Sequence, residues 1–373
     1  MKQLKLSVES LFDGKSFLSN QVVTIQNGII VAIEDNRHLN SNVLSGSLIP
    51  GFIDIQVNGG GGKLFNQSPD LETLNIIARA HQKFGTTGWL PTLVTDSFSS
   101  MKLAADAVAL ARKDKSLGVL GIHFEGPHLS VEKKGIHSIE FIRKISKAEK
   151  DLFSREDLGQ VVVTLAPEIV SPEDIRELVE IGVIVCLGHS NATFEQANEA
   201  LKAGASGFTH LFNAMSQFTS REPGLVGAAL LDENSYAGII IDGHHVHNKS
   251  AKLAINTKSN VILVTDAMPL VGSDSNHFDF FGEHINRTGN RLSNQTGQLA
   301  GSVLDMNTAV INAIEWLDLP PEKAINLATR NPADFLRLDS FYGRLKVGTK
   351  ANMLLLDDSR QVVSSWIEGK QLF

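Results

Sequence analysis

The stretch Gly118 to His128, GVLGIHFEGPH, is a short apolar run that reaches a carboxylate and is then closed by Gly and Pro. It reads as a buried strand handing over to a loop, with Glu125 at the handover. The pattern recurs down the chain, and the last polar residues of the apolar runs are Gln56 and Asn58, Glu125, Glu168, His189, His210, Asp242 and Asp266. Two imidazoles and a carboxylate at equivalent ends make a donor set for a divalent cation that keeps a position open for water. Taken singly, each of these histidines is more often a hydrogen-bonded structural residue, and Glu125 a cap or a surface carboxylate. Three fitting residues at three equivalent ends shift the reading to a metal site. The chemistry of such a site is hydrolysis, since a bound cation lowers the pKa of water from ~15.7 to about 7.

The elements that must position these residues alternate between strand and helix. Eight apolar runs read as strands, at 51–58, 87–95, 118–125, 161–168, 183–189, 206–213, 236–242 and 261–266. Helical spacing lies between several of them, clearest in LETLNIIARAHQKFG, MKLAADAVALARKD, DIRELVEIG and TFEQANEALKAG. This predicts an α/β fold, a (β/α)8 TIM-type barrel whose strand ends meet at one mouth. An open doubly wound sheet would need a glycine-rich phosphate fingerprint after its first strand. The glycines at 59–62 have neither that spacing nor a following helix. The chain ends differ from the middle: LKLSVES, QVVTIQ, an Asn27-Gly28 turn and IIVAIE at the start, MLLLDD and QVVSSWIEG at the finish. Asn-Gly between alternating runs signals a hairpin. The expectation is a small β-sandwich domain of residues 1–50 and 336–373 around a barrel of 51–335. Two excursions, 126–151 and 269–302, interrupt the barrel, the second with a hairpin pattern in HFDFFGEHINRTGNRLSN. Long loops at a catalytic face shape the substrate site.

With 373 residues, 42% hydrophobic and 20% charged, the composition is that of an ordinary globular chain. A net charge of −7 argues against nucleic-acid or membrane-surface partners. No apolar run reaches membrane-span length, and Met1 to Ser10 lacks the apolar core of a signal peptide, so cytoplasmic residence is expected. The single Cys186 excludes an intramolecular disulfide and a Cys-rich zinc site, and reads as a small core residue. Trp89, Trp316 and Trp366 read as core or packing residues.

The blocks HFEGPH, KKGIHS, LGHSNAT, THLFNAMSQFTSREPGLVG, DGHHVH, LVTDAM and LAGS, in this order, resemble the motifs of the N-acetylglucosamine-6-phosphate deacetylase family of the amidohydrolase superfamily. The resemblance runs from GFID at 51 to NPA at 331–333. It implies a metal-dependent barrel with a small β-sandwich that removes the acetyl group from a phosphorylated N-acetyl amino sugar. Carried over residue by residue, it implies Glu125, His189 and His210 as metal ligands, Asp266 as acid/base and His137 as the histidine facing the carbonyl. Gln56, Ile136, His137, Asn213, Ala214, Arg221, His245, Leu299, Ala300 and Gly301 would meet the substrate. Many amidohydrolases carry His-x-His at the end of the first strand, where this chain has Gln56-Val57-Asn58. Neutral amides are weak ligands beside imidazole, so one ion per subunit is expected, zinc first, with iron, cobalt or manganese also suited. A weak second ion near Gln56 and Asn58 stays open.

Arg221 offers a planar fork for phosphate, although its spacing equally suits a surface ion pair with Glu222. His244, His245 and His247 crowd one loop, and His245 is the one assigned to substrate. The resemblance also implies a homodimer in which Arg221 and His245 serve the neighbouring site. The galactosamine epimer is the alternative substrate, since DGHHVH and VTDAM are compatible with that branch too. A barrel that has lost catalysis would be expected to lose metal ligands, and this chain keeps Glu125, His189, His210 and Asp266 together.

Overall fold

A computed structural model describes residues 3–36 and 43–373. The parts of the small domain expected at residues 1–2 and 37–42 lie outside the described residues.

Alternating burial along the terminal runs builds one sheet. Its strands are Gln3–Phe12, Phe17–Gln26, Ile29–Asp35 and Val43–Pro50 from the start of the chain, and Met353–Leu356, Val362–Ile367 and Lys370–Gln371 from the end. The join is between Val43–Pro50 and Met353–Leu356, which pair antiparallel. Asn27 and Gly28 turn the second strand into the third with φ of 52° and 79°, the double left-handed turn that Asn-Gly suits. This sheet has its own core, in which Val8, Leu11, Val23, Ile25, Leu48, Met353 and Trp366 meet. Register shifts after Val8, Thr24 and Leu355 bend its strands.

The middle of the chain forms eight parallel strands in sequential order: Phe52–Val57, Thr86–Val94, Gly121–Glu125, Gln160–Leu165, Ile184–Leu187, Gly207–Phe208, Tyr236–Ile239 and Val261–Leu263. Most are buried along their whole length, as expected of strands packed on both faces. Helices flank them and start where the sequence offers caps. Asp70 caps Leu71–Gln82, Ser97 caps Phe98–Ala111, Ser171 with Pro172 starts Pro172–Glu180, and a Thr193–Gln196 capping box starts Phe194–Lys202. The barrel closes between its first and last strands. Val57 bridges Ala267 in parallel, the amides of Asn58 and Gly59 both donate to the Ala267 carbonyl at 2.9 Å, and Asp54 accepts from the Thr265 hydroxyl at 2.5 Å. The glycines at 59–62 serve this seam: a Cβ on Gly59 would lie 2.5 Å from the Lys63 carbonyl oxygen and 2.9 Å from the Pro269 nitrogen.

Asp54 is completely buried, and burial pushes its carboxyl up to about 7 against the hydrogen bonds from Thr265 and Gln56. Thr265→Val keeps the shape and deprives the carboxyl of its side-chain donor. We expect a loss of about 1–3 kcal/mol, the penalty for an incompletely satisfied buried group, read by denaturant unfolding. A variant as stable as wild type would show that the hydroxyl does not secure the seam.

Two differences from the sequence reading bear on the site. The barrel strands stop earlier than their apolar runs, so that among the expected metal ligands only Glu125 is inside a strand. His189, His210 and Asp266 lie past the strand ends with φ of 47°, 31° and 50°. Non-glycine residues in that region are uncommon and leave the pleated ladder, and such strain gathers at functional sites. Trp316 is a correction. Trp89 and Trp366 are buried, but Trp316 is 36% exposed on the outer helix Met306–Leu317, its ring lying along Gly243. Cys186 is buried among the strands and its thiol is pushed up to about 12 by burial, so it is inert packing.

Candidate metal centre and substrate cavity

At the mouth of the barrel, Glu125, His189 and His210 bring one carboxylate oxygen and two imidazole nitrogens within 4.8 Å of one another, all buried. Glu125 Oε1 is 3.2 Å from His189 Nε2 and 3.1 Å from His210 Nε2, and the two nitrogens are 2.9 Å apart. The donor set fits a cation. His189 Nδ1 lies 2.9 Å from the Lys133 carbonyl oxygen, an acceptor only, so Nδ1 carries the hydrogen and Nε2 aims a lone pair at the centre. His210 Nδ1 is buried with no hydrogen-bond partner, so its tautomer is free to turn an Nε2 lone pair to the centre as well, and one divalent ion can then take all three donor atoms. Burial raises the Glu125 carboxyl, but its close contacts with the His189 and His210 rings outweigh that and hold the group well below the usual range. Burial lowers His210, and the bond to Glu125 outweighs that and raises it.

The loops supporting the trio use other strand-end acids. Glu168 accepts from the Ser190 hydroxyl and the Asn191 amide, both at 2.6 Å, and so braces the turn that carries His189. Beneath the mouth, Gln56 Nε2 donates to Glu125 Oε1 and to Asp266 Oδ1, both at 3.1 Å, and Asn58 Nδ2 donates to the same Asp266 oxygen at 2.7 Å. Both amides therefore present hydrogens to carboxylates. Asp266 is pushed up to about 6 by burial and by the charge of Glu125. His137 packs on His189, ring centroids 4.2 Å apart, and its Nδ1 lies 2.7 Å from the Thr95 hydroxyl. Burial, then the neighbouring His189 ring, holds His137 well below its ordinary range.

A cavity of about 370 Å³ opens above these groups. Of the residues expected at the site, Glu125, His189, His210, Asp266, Ile136, His137, Asn213, Ala214, His245, Leu299 and Gly301 line it. Gln56 lies under the wall, 2% exposed, and Ala300 is fully buried behind it. Arg221 is not in the wall. It is exposed and has no hydrogen bond or ion pair among the described residues. Its neighbour Glu222 is occupied elsewhere, accepting from the amides of Phe194 and Gly224 at 2.9 and 2.8 Å. The crowded histidines separate cleanly. His245 Nδ1 bonds Asp242 at 2.7 Å with its ring in the wall, His244 bonds Asn290 at 2.7 Å, and His247 caps the helix Asn248–Thr257. Both excursions reach the cavity. The first forms the Glu132–His137 wall, and the second, a three-stranded ribbon spanning His277–Ser293, runs on into Gln298, Leu299 and Gly301. Sequence reasoning singled out Asn58 only as a strand-end residue beside a weak second ion, and passed over Thr95. Their only signal is a polar residue at the end of an apolar run, in QVN and TLVT.

A barrel with a buried His-His-Glu trio at the carboxyl ends of its strands fits a metal-dependent hydrolase. The Amidohydrolase family model matches residues 47–372, and the chain belongs to that family. It is 51% identical over 331 residues, 88% of this chain and 84% of the relative, to the N-acetylgalactosamine-6-phosphate deacetylase of Shewanella sp. (strain ANA-3). It is 35% identical over 364 residues, 95% of each chain, to the N-acetylglucosamine-6-phosphate deacetylase of Haemophilus influenzae. Its fold superposes on the crystal structure of N-acetylglucosamine-6-phosphate deacetylase from Pasteurella multocida with a TM-score of 0.94 at 33% identity, over 99% of both chains. Among the described residues no helix is long and apolar enough to cross a membrane.

Proposed function

We propose that the chain hydrolyses the acetamide of an N-acetylhexosamine 6-phosphate, releasing acetate and the free amine. The observation that carries this is the buried Glu125, His189 and His210 trio with Asp266 and His137 in the same cavity wall. The motifs and the Pasteurella structure favour N-acetylglucosamine 6-phosphate. The 51% identity to the Shewanella enzyme favours the galacto epimer as a second reading. Both epimers, supplied at equal concentration with acetate release as the readout, test the proposal and rank the two; release from neither would end it.

Glu125, His189 and His210 would hold one divalent ion per subunit, zinc first and iron, cobalt or manganese as alternatives. When bound, such an ion acidifies a water and polarises a carbonyl. The other steps belong to side chains. Asp266, its Oδ1 tied by Gln56 and Asn58, accepts the proton of the attacking water and delivers it to the nitrogen as the C–N bond breaks. His137 donates from Nε2 to the carbonyl oxygen as that oxygen gains charge. Ile136, Leu299, Ala300 and Gly301 shape the wall around the acetyl and sugar. Asn213, Ala214 and His245 meet the sugar phosphate, and Asp242 steadies the His245 ring.

Arg221 stands outside its own cavity, so we assign it to the neighbouring site of a homodimer, whereas His245, expected there as well, has its ring in the wall of its own cavity. Arg221→Ala should raise KM for the phosphorylated sugar by about ten- to a hundredfold, the worth of one charged hydrogen bond of about 1.5–3 kcal/mol once a partner covers it. The unphosphorylated sugar should be a poor substrate whose KM does not move. Equal loss on both sugars would make Arg221 structural. We further propose cytoplasmic residence, and a division of the chain into 1–50 with 336–373 as the small domain and 51–335 as the barrel.

A further inference from the structure

The role given to His137 requires a hydrogen on its Nε2, and the following inference rests on that role. A neutral imidazole carries one ring hydrogen, and its other nitrogen offers a lone pair. Which nitrogen of His137 holds the hydrogen is decided by Thr95. The Thr95 hydroxyl has a single hydrogen and two acceptors in reach, His137 Nδ1 at 2.7 Å and the backbone carbonyl of Glu125 at 3.2 Å. If the carbonyl received it, Nδ1 would have to donate to Thr95, and a neutral ring would turn a bare nitrogen to the cavity. If Nδ1 receives it, the ring hydrogen must sit on Nε2. The distances favour the second arrangement, since hydroxyl bonds cluster near ~2.7–2.8 Å and 3.2 Å lies beyond their usual range.

We propose that Thr95 is a positioning residue that locks His137 as its Nε2–H tautomer, so that a donor and not an acceptor faces the substrate carbonyl. The pair is enclosed, Thr95 being 1% and His137 3% exposed. Gly126 borders the hydroxyl so closely that a Cβ there would lie 2.1 Å from Thr95 Oγ1. The loop that carries His137 is held as well, its amide donating to the Lys134 carbonyl at 3.0 Å and its own carbonyl accepting from Lys134 Nζ at 3.3 Å. A residue one step past the second barrel strand thus sets the proton on a residue borne by the loop after the third.

The test reads the proton directly. In the metal-loaded full chain labelled with ¹⁵N-histidine, ring nitrogen correlations identify His137 by its loss in His137→Asn. Wild type is expected to show a protonated Nε2 and a bare Nδ1. Thr95→Ser should keep that pattern, and Thr95→Val should mix or reverse it. In parallel, Thr95→Val should lower kcat by about 10²–10³-fold, the usual cost of one oxyanion donor, with KM and bound metal near wild type and with Thr95→Ser restoring turnover. A hydrogen on Nδ1 in wild type, or a Thr95→Val enzyme with wild-type kcat, overturns the proposal. Should Thr95→Val fail to fold, the wild-type and Thr95→Ser spectra still decide. A wild type with protonated Nε2 that releases no acetate from either epimer upholds the tautomer and overturns the proposed reaction instead.

Discussion

Asp266→Asn should leave a folded, metal-loaded protein whose turnover is lower by about 10²–10⁴-fold, the usual contribution of a general acid/base. The substitution is nearly isosteric, and the bonds to Oδ1 from Gln56 and Asn58 can be kept by the amide oxygen, so the backbone at φ 50° has no reason to move. What is lost is the capacity to accept and release a proton. Substrate affinity should stay near wild type, which separates chemistry from binding. The acid limb of the kcat/KM profile should go with it. Below its pKa, Asp266 is protonated and cannot take the water's proton, so activity falls as pH falls. Burial and Glu125 push that pKa up to about 6, and a cation at the trio would draw it lower. An Asp266→Asn enzyme with wild-type turnover and pH profile would refute the role. One that unfolds or arrives without metal would instead make Asp266 a structural acid at the barrel end.

His189→Ala and His210→Ala should each lose the ion and nearly all turnover. Each removes one of three converging donors, leaving two that cannot enclose a cation. The fall in affinity should exceed the ~10–100-fold typical of losing a residue that merely orients a ligand. Glu125→Gln should weaken binding as well, because it removes the one anionic donor of the three. Metal per chain after exhaustive dialysis, with acetate release on the same samples, reads both effects. Full metal content in either alanine variant would dissolve the assignment. Melting curves of metal-free wild type and variants guard against simple unfolding.

The barrel and the terminal sheet were legible because burial leaves a plain mark. A strand buried on both faces, such as Ile184–Leu187, reads as a continuous apolar run, and one with a wet face alternates. The strand ends were less legible. Gly207–Phe208 pairs for two residues although its apolar run continues, because His210 turns left-handed while its neighbours stay buried. Hydrophobicity reports burial and is silent on pairing. Within the site, residue types announced Glu125, His189 and His210, since few other combinations gather at equivalent ends. The partners of Asn58 and Gln56 could not be read, for Asp266 is reached across the closed seam and Glu125 from the third strand. Arg221 illustrates the same limit: its type suits phosphate, but residue type alone does not say that it stands outside its own cavity.

The terminal sheet joins Val43–Pro50 to Met353–Leu356, partners that lie about 300 residues apart. During synthesis at about 5–20 residues per second, the earlier strand leaves the ribosome roughly 15–60 s before the later one exists. Over that interval Val43–Pro50 presents an unpaired edge with Leu48 and Ile49 on it, the kind of edge that recruits other chains. Gly46 sharpens the requirement, since a Cβ there would lie 2.1 Å from the Leu356 oxygen. The nascent polypeptide therefore has to shelter this strand until its own tail arrives, which exposes it to holding chaperones and to the rate of translation.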